Sequence, residues 1–161
     1  MKKENMVRLN HIKPPFLEGD AGTAVVDLSR YGLEGQEEEI WVEEAEVGVA
    51  LVSSIPFCID GLALFDKIRP GLTKGSFDIL DRSGRGVFRA LVDQRAGESE
   101  RQDSAALLSE FFISVELAHE WNGLGYVSVD VPSAAVVAEV KANVQMINNV
   151  IWGWGVECTN P

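Results

Sequence analysis

The segment from Ile55 to Ile68 constrains the fold of this chain more than any other feature. Pro56 precedes a short apolar run, and Gly61 separates that run from a second apolar run that ends at Ile68. Because proline and glycine interrupt regular backbone, this pattern predicts a strand, a corner and a second strand over Leu62–Ile68. The segment therefore indicates a fold and no reaction.

Length and composition indicate a folded globular protein. The chain has 161 residues, of which 46% are hydrophobic, and this is enough to bury a core in one domain or in two small lobes. No apolar stretch approaches the ~18 residues that a membrane helix needs, and the first residues lead into polar sequence instead of a signal core. Cys58 and Cys158 are too few and too far apart for a disulfide framework. We therefore expect a cytoplasmic protein with reduced thiols.

The N-terminal half is predicted to form an extended arm followed by antiparallel strands. Residues 1–22 have no period and contain Pro14-Pro15, which predicts an extended arm. Residues 23–85 are predicted to form a β-rich lobe. Its expected elements are a strand at Ala24–Leu28, a hairpin that turns at Gly48, the strand Leu62–Ile68, and a hairpin that joins Ser76–Asp81 to Gly86–Val92 through Arg82-Ser83-Gly84-Arg85.

The C-terminal half, residues 86–161, changes period. Leu107, Phe111 and Val115, with Leu108 and Phe112, form an apolar stripe that predicts a helix over Arg101–Val115. The other expected elements are strands at Leu117–Trp121, Tyr126–Val131 and Val150–Glu157, and a helix that begins at Pro132 and ends at Asn148-Asn149. The order β-α-β-β-α-β predicts a ferredoxin-like half and an α+β protein overall. We expect one cooperative unit, because both halves share Gly86–Val92 and no Pro/Ser/Gly-rich linker separates them.

Short motifs follow one another in a distinctive order over residues 39–157. They are Trp41-Val42-Glu43, a turn at Gly48, Ile55-Pro56-Phe57, Gly61 to Asp66, Ser83-Gly84 and Val129-Asp130-Val131-Pro132. This order resembles a family of small bacterial proteins known only as a domain of unknown function, whose members usually carry a small residue or glycine where Phe65 stands. The resemblance implies no catalytic residues. It implies the role suspected for such proteins, the neutralisation of toxins encoded nearby.

The negative charge of the chain is concentrated in one region. The net charge is −11, and the residues from Tyr31 to Asp66 include nine carboxylates and no lysine or arginine. An acidic surface repels phosphate backbones, which argues against nucleic-acid binding and favours a basic protein partner. We predict that this partner is captured electrostatically around a more central Trp41. The capturing carboxylates are expected to be Glu37, Glu38, Glu39, Glu43, Glu44 and Glu46.

Catalytic and metal-binding constellations are not indicated. The only histidines are His11 and His119, which gives no zinc-ligand spacing. A nucleophilic pair of Cys58 with His119 is disfavoured, because the apolar neighbours of Cys58 suppress the thiolate. The carboxylate pairs Glu43-Glu44 and Asp78/Asp81 lack a cleft that would separate their proton affinities. We therefore expect a protein without a metal, a cofactor or hydrolytic activity.

An alternative function is a sensor for a small acid or nucleotide in the ferredoxin-like half. Its ligand would be held by Arg82, Arg85 and Arg89 and by the face that carries Trp152 and Trp154. We favour another interpretation of these residues, in which the arginines lie at the tip of a hairpin and the tryptophans belong to the core. The identity of the partner and the oligomeric state are left open by the sequence.

Overall fold

The computed structural model describes residues 6–17, 21–123 and 125–161. The chain divides into two compact units, with the boundary between Ser83 and Gly84. The described residues form ten strands in two sheets together with two α-helices. The prediction of a mixed protein rich in strands is therefore confirmed. Within these ranges, neither helix is long and apolar enough to cross a membrane.

The sheet of the first unit is built around one long strand. Its strands are β1 (Val7–Asn10), β2 (Gly22–Asp27), β3 (Gln36–Glu46), β4 (Val49–Val52), β5 (Lys67–Pro70) and β6 (Phe77–Asp81). The central strand β3 pairs in parallel with β1 and antiparallel with β2 and β4, and β5 and β6 extend the sheet beyond β4. The N-terminal segment predicted as an extended arm thus carries a strand of this sheet.

Alternation along β3 decides which side chains reach the core of the first unit. Glu38 and Ile40 are fully buried, whereas Glu37, Glu39 and Trp41 lie on the opposite, partly exposed face. The buried core of this unit consists of Val26, Leu28, Ile40, Val52, Ile59, Leu62 and Ile68. The face opposite this core is partly exposed.

Residues 53–66 connect β4 to β5 as irregular, mostly buried chain. The prediction of a strand, a corner and a second strand is therefore wrong for the first strand. The second strand is displaced, from Leu62–Ile68 to Lys67–Pro70. The physical reason is that the carboxylates of Glu38 and Asp66 accept backbone amides in the middle of this segment, as described below.

The predicted hairpin between Ser76–Asp81 and Gly86–Val92 does not form. Strand β6 pairs with β5, whereas β7 (Gly86–Val92) lies between β9 and β10 in the second sheet. Gly84 does adopt the positive φ of a turn, at 78°. Its carbonyl, however, accepts hydrogen bonds from the amides of Thr159 and Asn160, at 2.9 and 3.0 Å. The strand Gly86–Val92 therefore belongs to the second unit and is not shared between the halves.

The second unit has the element order that the sequence predicts. Its elements after β7 are α1 (Glu98–Ser114), β8 (His119–Asn122), β9 (Tyr126–Val131), α2 (Val137–Val144) and β10 (Val150–Val156). The strands are antiparallel in the order β10-β7-β9-β8, and β10 contains a bulge between Trp154 and Val156. The core contains Phe88 and Val129 from the sheet, Leu108 and Phe112 from α1, and Val140 from α2.

Candidate functional site

The exposed face of β3 carries several of the predicted partner-binding residues. Glu37 and Glu39 lie on this face, and Arg8 on the neighbouring β1 is the register partner of Glu37. The guanidinium of Arg8 donates to Glu37 at 2.9 Å and to Glu39 at 3.1 Å. The hydrogen bond to Glu37 raises the pKa of Arg8 further above its ordinary value. One cation thus balances one of the two negative charges at this end of the acidic run.

Trp41 is partly buried at the middle of the same face. Its indole Nε1 donates to the carbonyl oxygen of His11 at 3.1 Å, which fixes the orientation of the ring. The ammonium group of Lys13 lies 5.7 Å from the ring centroid, within the range of a cation–π contact. The face of the Trp41 ring is thus accessible to a cation.

The far end of β3 carries the carboxylates that remain unbalanced. We call Glu43, Glu44 and Glu46 the hairpin carboxylates, since they precede the turn into β4. Among the described residues, none of the three has a lysine, arginine or histidine within ion-pair distance. Val47 at the turn is 97% exposed. The negative charge offered to a partner is therefore concentrated at this hairpin.

Glu38 lies on the buried face and cannot contact a partner. Its Oε1 accepts a hydrogen bond from the amide of Phe57 at 2.6 Å, and its Oε2 accepts one from Cys58 at 2.8 Å. The His11 Nε2 atom lies 2.9 Å from Oε1, and the His11 ring stacks on Phe57 with centroids 4.1 Å apart. The inclusion of Glu38 among the partner-binding residues is corrected accordingly. The period of two, which places Glu38 beside Ile40, was the sequence signal that could have shown this.

A second buried carboxylate holds the other end of the irregular segment. Asp66 accepts the amide of Ala63 at 2.9 Å with one oxygen and the amide of Ser83 at 2.7 Å with the other. Phe65, which lies between Ala63 and Asp66 in the sequence, adopts a left-handed conformation with φ of 67°. Glu38 and Asp66 together accept the amides of Phe57, Cys58 and Ala63, which have no strand neighbour to bond to.

The residues of the alternative ligand site are divided between the two units. Arg82 belongs to the first unit, where it donates to the carbonyl of Gly61 at 2.6 Å. Arg82 also lines a depression of about 360 Å³ together with Arg30, Tyr31, Asp60, Gly61, Phe77, Asp78 and Ile79. The other members, Arg85, Arg89, Trp152 and Trp154, belong to the second unit.

Within the second unit, these four residues have structural contacts. Arg85 forms a bidentate pair with Asp130, which is 2% exposed. The side chain of Arg89 occupies the space that a Cβ at residue 155 would need. The rings of Trp152 and Trp154 lie 5.5 and 5.3 Å from that of Phe88. Trp154 packs against the core, which favours the core interpretation for this residue, whereas Trp152 remains 36% exposed.

The residues considered for catalysis are likewise engaged in structural contacts. The Cys58 amide is bound by Glu38, and the Nδ1 atom of His119 lies 2.9 Å from the carbonyl oxygen of Leu117 in the second unit. Over residues 6–17, 21–123 and 125–161, no group of three or more His, Cys, Asp or Glu side chains is arranged to hold a metal ion.

The described residues form a mixed protein of two β-sheets and two α-helices, with an acidic hairpin at the end of β3. The chain belongs to the family described as Domain of unknown function (DUF4265), whose model matches residues 38–154. It is also similar to a solved structure described as "Novel crystal structure of a hypothetical protein from Neisseria gonorrhoeae". That similarity has 19% identity, covers 90% of this chain and 98% of that one, has a TM-score of 0.57, and shows the fold alone. No curated protein matches.

Proposed function

We propose that this protein is a non-enzymatic protein-binding module of the cytoplasm, an immunity protein that binds and neutralises a basic bacterial toxin. The observation that carries the proposal is the cluster of hairpin carboxylates, which have no cationic partner among the described residues. Unbalanced like charges repel one another and cost the fold stability. A basic partner would relieve this repulsion.

The proposed mechanism divides the work between charge and the aromatic ring. The hairpin carboxylates attract the partner and raise the association rate, because long-range attraction acts before contact. Trp41 then provides the apolar contact that slows dissociation. The contact of Lys13 with the ring supports a ring face on which a cation of the partner could also lie.

A toxin that acts on nucleic acid or nucleotides is the favoured target. Such an enzyme needs a basic surface for its own substrate, and an acidic inhibitor can occupy that surface. Inhibition by occupation requires no chemistry of the inhibitor.

The test is the rate of association with the toxin-like product encoded by the adjacent gene, at two salt concentrations. The triple variant Glu43→Lys, Glu44→Lys, Glu46→Lys is expected to slow association by at least about tenfold at low salt. The matched control is Glu116→Lys, Glu139→Lys, Glu157→Lys, which has the same charge change at exposed positions of the second unit. Trp41→Ala is expected to act mainly on dissociation. Equal association rates for the two triple variants would contradict the proposal.

A second candidate function, a sensor for a small acid or nucleotide, keeps one supporting observation. The strand order and element order of the second unit support a ferredoxin-like lobe, but the depression that contains Arg82 and Arg30 lies in the first unit. Its two arginines could pair with a small anion, although Asp60 and Asp78 line the same depression and offset their charge. A rise in melting temperature with a carboxylate or nucleotide that Arg82→Gln abolishes would favour the sensor. A rise that Arg82→Gln leaves unchanged would argue against this site.

A further inference from the structure

The second unit carries an apolar groove between α1 and the end of α2. One depression, of about 510 Å³, is lined by Leu107, Glu110, Phe111, Ser114, Asn143, Met146 and Ile147. A second depression, of about 230 Å³, shares Leu107, Met146 and Ile147 and extends the groove towards Glu100 and Asp103. Phe111 and Ile147 pack against the core and form the floor of the groove. Leu107 and Met146 are 50% and 78% exposed. Apolar side chains of this size are thus offered to solvent along one line.

The groove follows the length of α1 because its lining residues repeat at helical spacing. Glu100, Asp103, Leu107, Glu110 and Ser114 are three or four positions apart and therefore share one face of the helix. From Glu100 to Ser114 the helix rises by about 21 Å, which matches a docked helix of about four turns. At one end the hydroxyl of Ser104 donates to the carbonyl of Asn148 at 2.9 Å and joins α1 to the chain after α2.

The charges around the groove define its occupant. The residues that line the two depressions include the carboxylates of Glu100, Asp103 and Glu110 and no lysine or arginine. A second copy of this chain carries a net charge of −11 and would bring like charge to an acidic rim. An apolar floor with an acidic rim complements a helix that has one apolar face and basic flanks.

We propose that this groove binds a basic amphipathic helix of a partner protein. Apolar side chains of that helix pack between Leu107 and Met146, where the flexible thioether adapts to their shape. Lysine or arginine side chains beside them pair with Asp103 and Glu110. The groove lies in the second unit and the hairpin carboxylates in the first, so the inference does not rest on the proposed function.

The probes are three synthetic helical peptides of about 15 residues, a length that spans the groove. The first carries leucine and lysine in an amphipathic pattern, the second has glutamate in place of lysine, and the third has glutamine in place of leucine. Binding to the full chain is measured by calorimetry. We expect the leucine/lysine peptide to bind at least about tenfold more tightly than either of the others, because it alone matches both floor and rim.

Two double variants locate the binding. Leu107→Ser with Met146→Ser is expected to weaken binding of the leucine/lysine peptide by at least about tenfold, through loss of buried apolar area. Asp103→Lys with Glu110→Lys is expected to weaken it comparably through reversed charge. The matched controls are Ile113→Ser with Ile151→Ser, and Glu116→Lys with Glu157→Lys, which change exposed residues outside the groove lining. The controls are expected to bind within about twofold of wild type.

Other outcomes overturn the proposal. Equal loss of binding in a variant and its control would show non-specific attraction, and preference for the glutamate peptide would refute the basic partner. Absence of binding by the leucine/lysine peptide would refute the site. A dimer in light scattering that Leu107→Ser with Met146→Ser dissociates would assign the groove to a second copy. The hairpin triple variant, by contrast, is expected to bind the leucine/lysine peptide as wild type does, which would show that the groove acts independently of the hairpin.

Discussion

Replacement of Glu38 by glutamine tests whether this carboxylate holds the irregular segment of the first unit. The amide side chain keeps one acceptor oxygen, but its NH₂ group must face a backbone amide of Phe57 or Cys58 that is itself a donor. One charge-assisted hydrogen bond is lost, which is worth about 1.5–3 kcal/mol, and one buried amide is left unsatisfied, which costs about 1–3 kcal/mol. We therefore expect Glu38→Gln to lower the free energy of unfolding by about 2.5–6 kcal/mol.

The assay is urea unfolding followed by tryptophan fluorescence at neutral pH. A loss of this size is a large fraction of the roughly 5–15 kcal/mol that holds a typical domain folded. Glu44→Gln is the matched control on the same strand, where the side chain is exposed, and we expect a change within about 0.5 kcal/mol. A loss of less than about 1 kcal/mol for Glu38→Gln would refute the argument that this carboxylate holds the segment.

Three further predictions concern acid stability, the second unit and cooperativity. The hydrogen bond from Arg95 lowers the pKa of Asp93 from 3.8 to about 2, so its contribution to stability is present above pH 3.8 and is lost as the pH falls towards 2. Asp93→Asn should flatten the dependence of the urea midpoint on pH in that window, and an unchanged slope would contradict this. Asp130→Asn removes the carboxylate that binds Arg85 in a largely buried site, and thermal unfolding should show a loss of about 3 kcal/mol, whereas a loss below about 1 kcal/mol would speak against the pair. The expectation of one cooperative unit depended on a shared strand that the structure assigns to the second unit alone, so a fragment of residues 84–161, which contains a complete sheet and core, should melt in a sharp transition of its own; a fragment that does not fold would contradict this.

Elements bounded by turn residues were predictable from the sequence. The strands Gly86–Val92 and Tyr126–Val131 were predicted with both ends correct, because a continuous apolar or alternating run stops at polar or glycine residues. Helix α1 was predicted within three residues at its start and one at its end. Local patterns decide these elements, so a single sequence suffices for them.

Features that depend on distant residues were not predictable in this way. The apolar run after Ile55 resembles a strand, yet its amides bind the carboxylate of Glu38, which lies about twenty residues away in sequence. Arg8 likewise forms ion pairs with Glu37 and Glu39 because β1 lies parallel to β3, and no local sequence pattern around Arg8 predicts that pairing. The apolar stripe of α1 correctly placed Leu108 and Phe112 in the core. Leu107, which belongs to the same predicted stripe, is instead half exposed.

The bulge in β10 has a consequence for the behaviour of the protein at high concentration. Strand β10 forms one edge of the second sheet, and its Ile151 is 61% exposed. A straight apolar edge is a template on which another chain can add by main-chain pairing, as in fibrils. The extra residue between Trp154 and Val156 bends this edge and breaks the repeat of its free amide and carbonyl groups. The shape of the backbone thereby opposes the continued addition of strands at this edge, although the exposed apolar side chain of Ile151 would favour it.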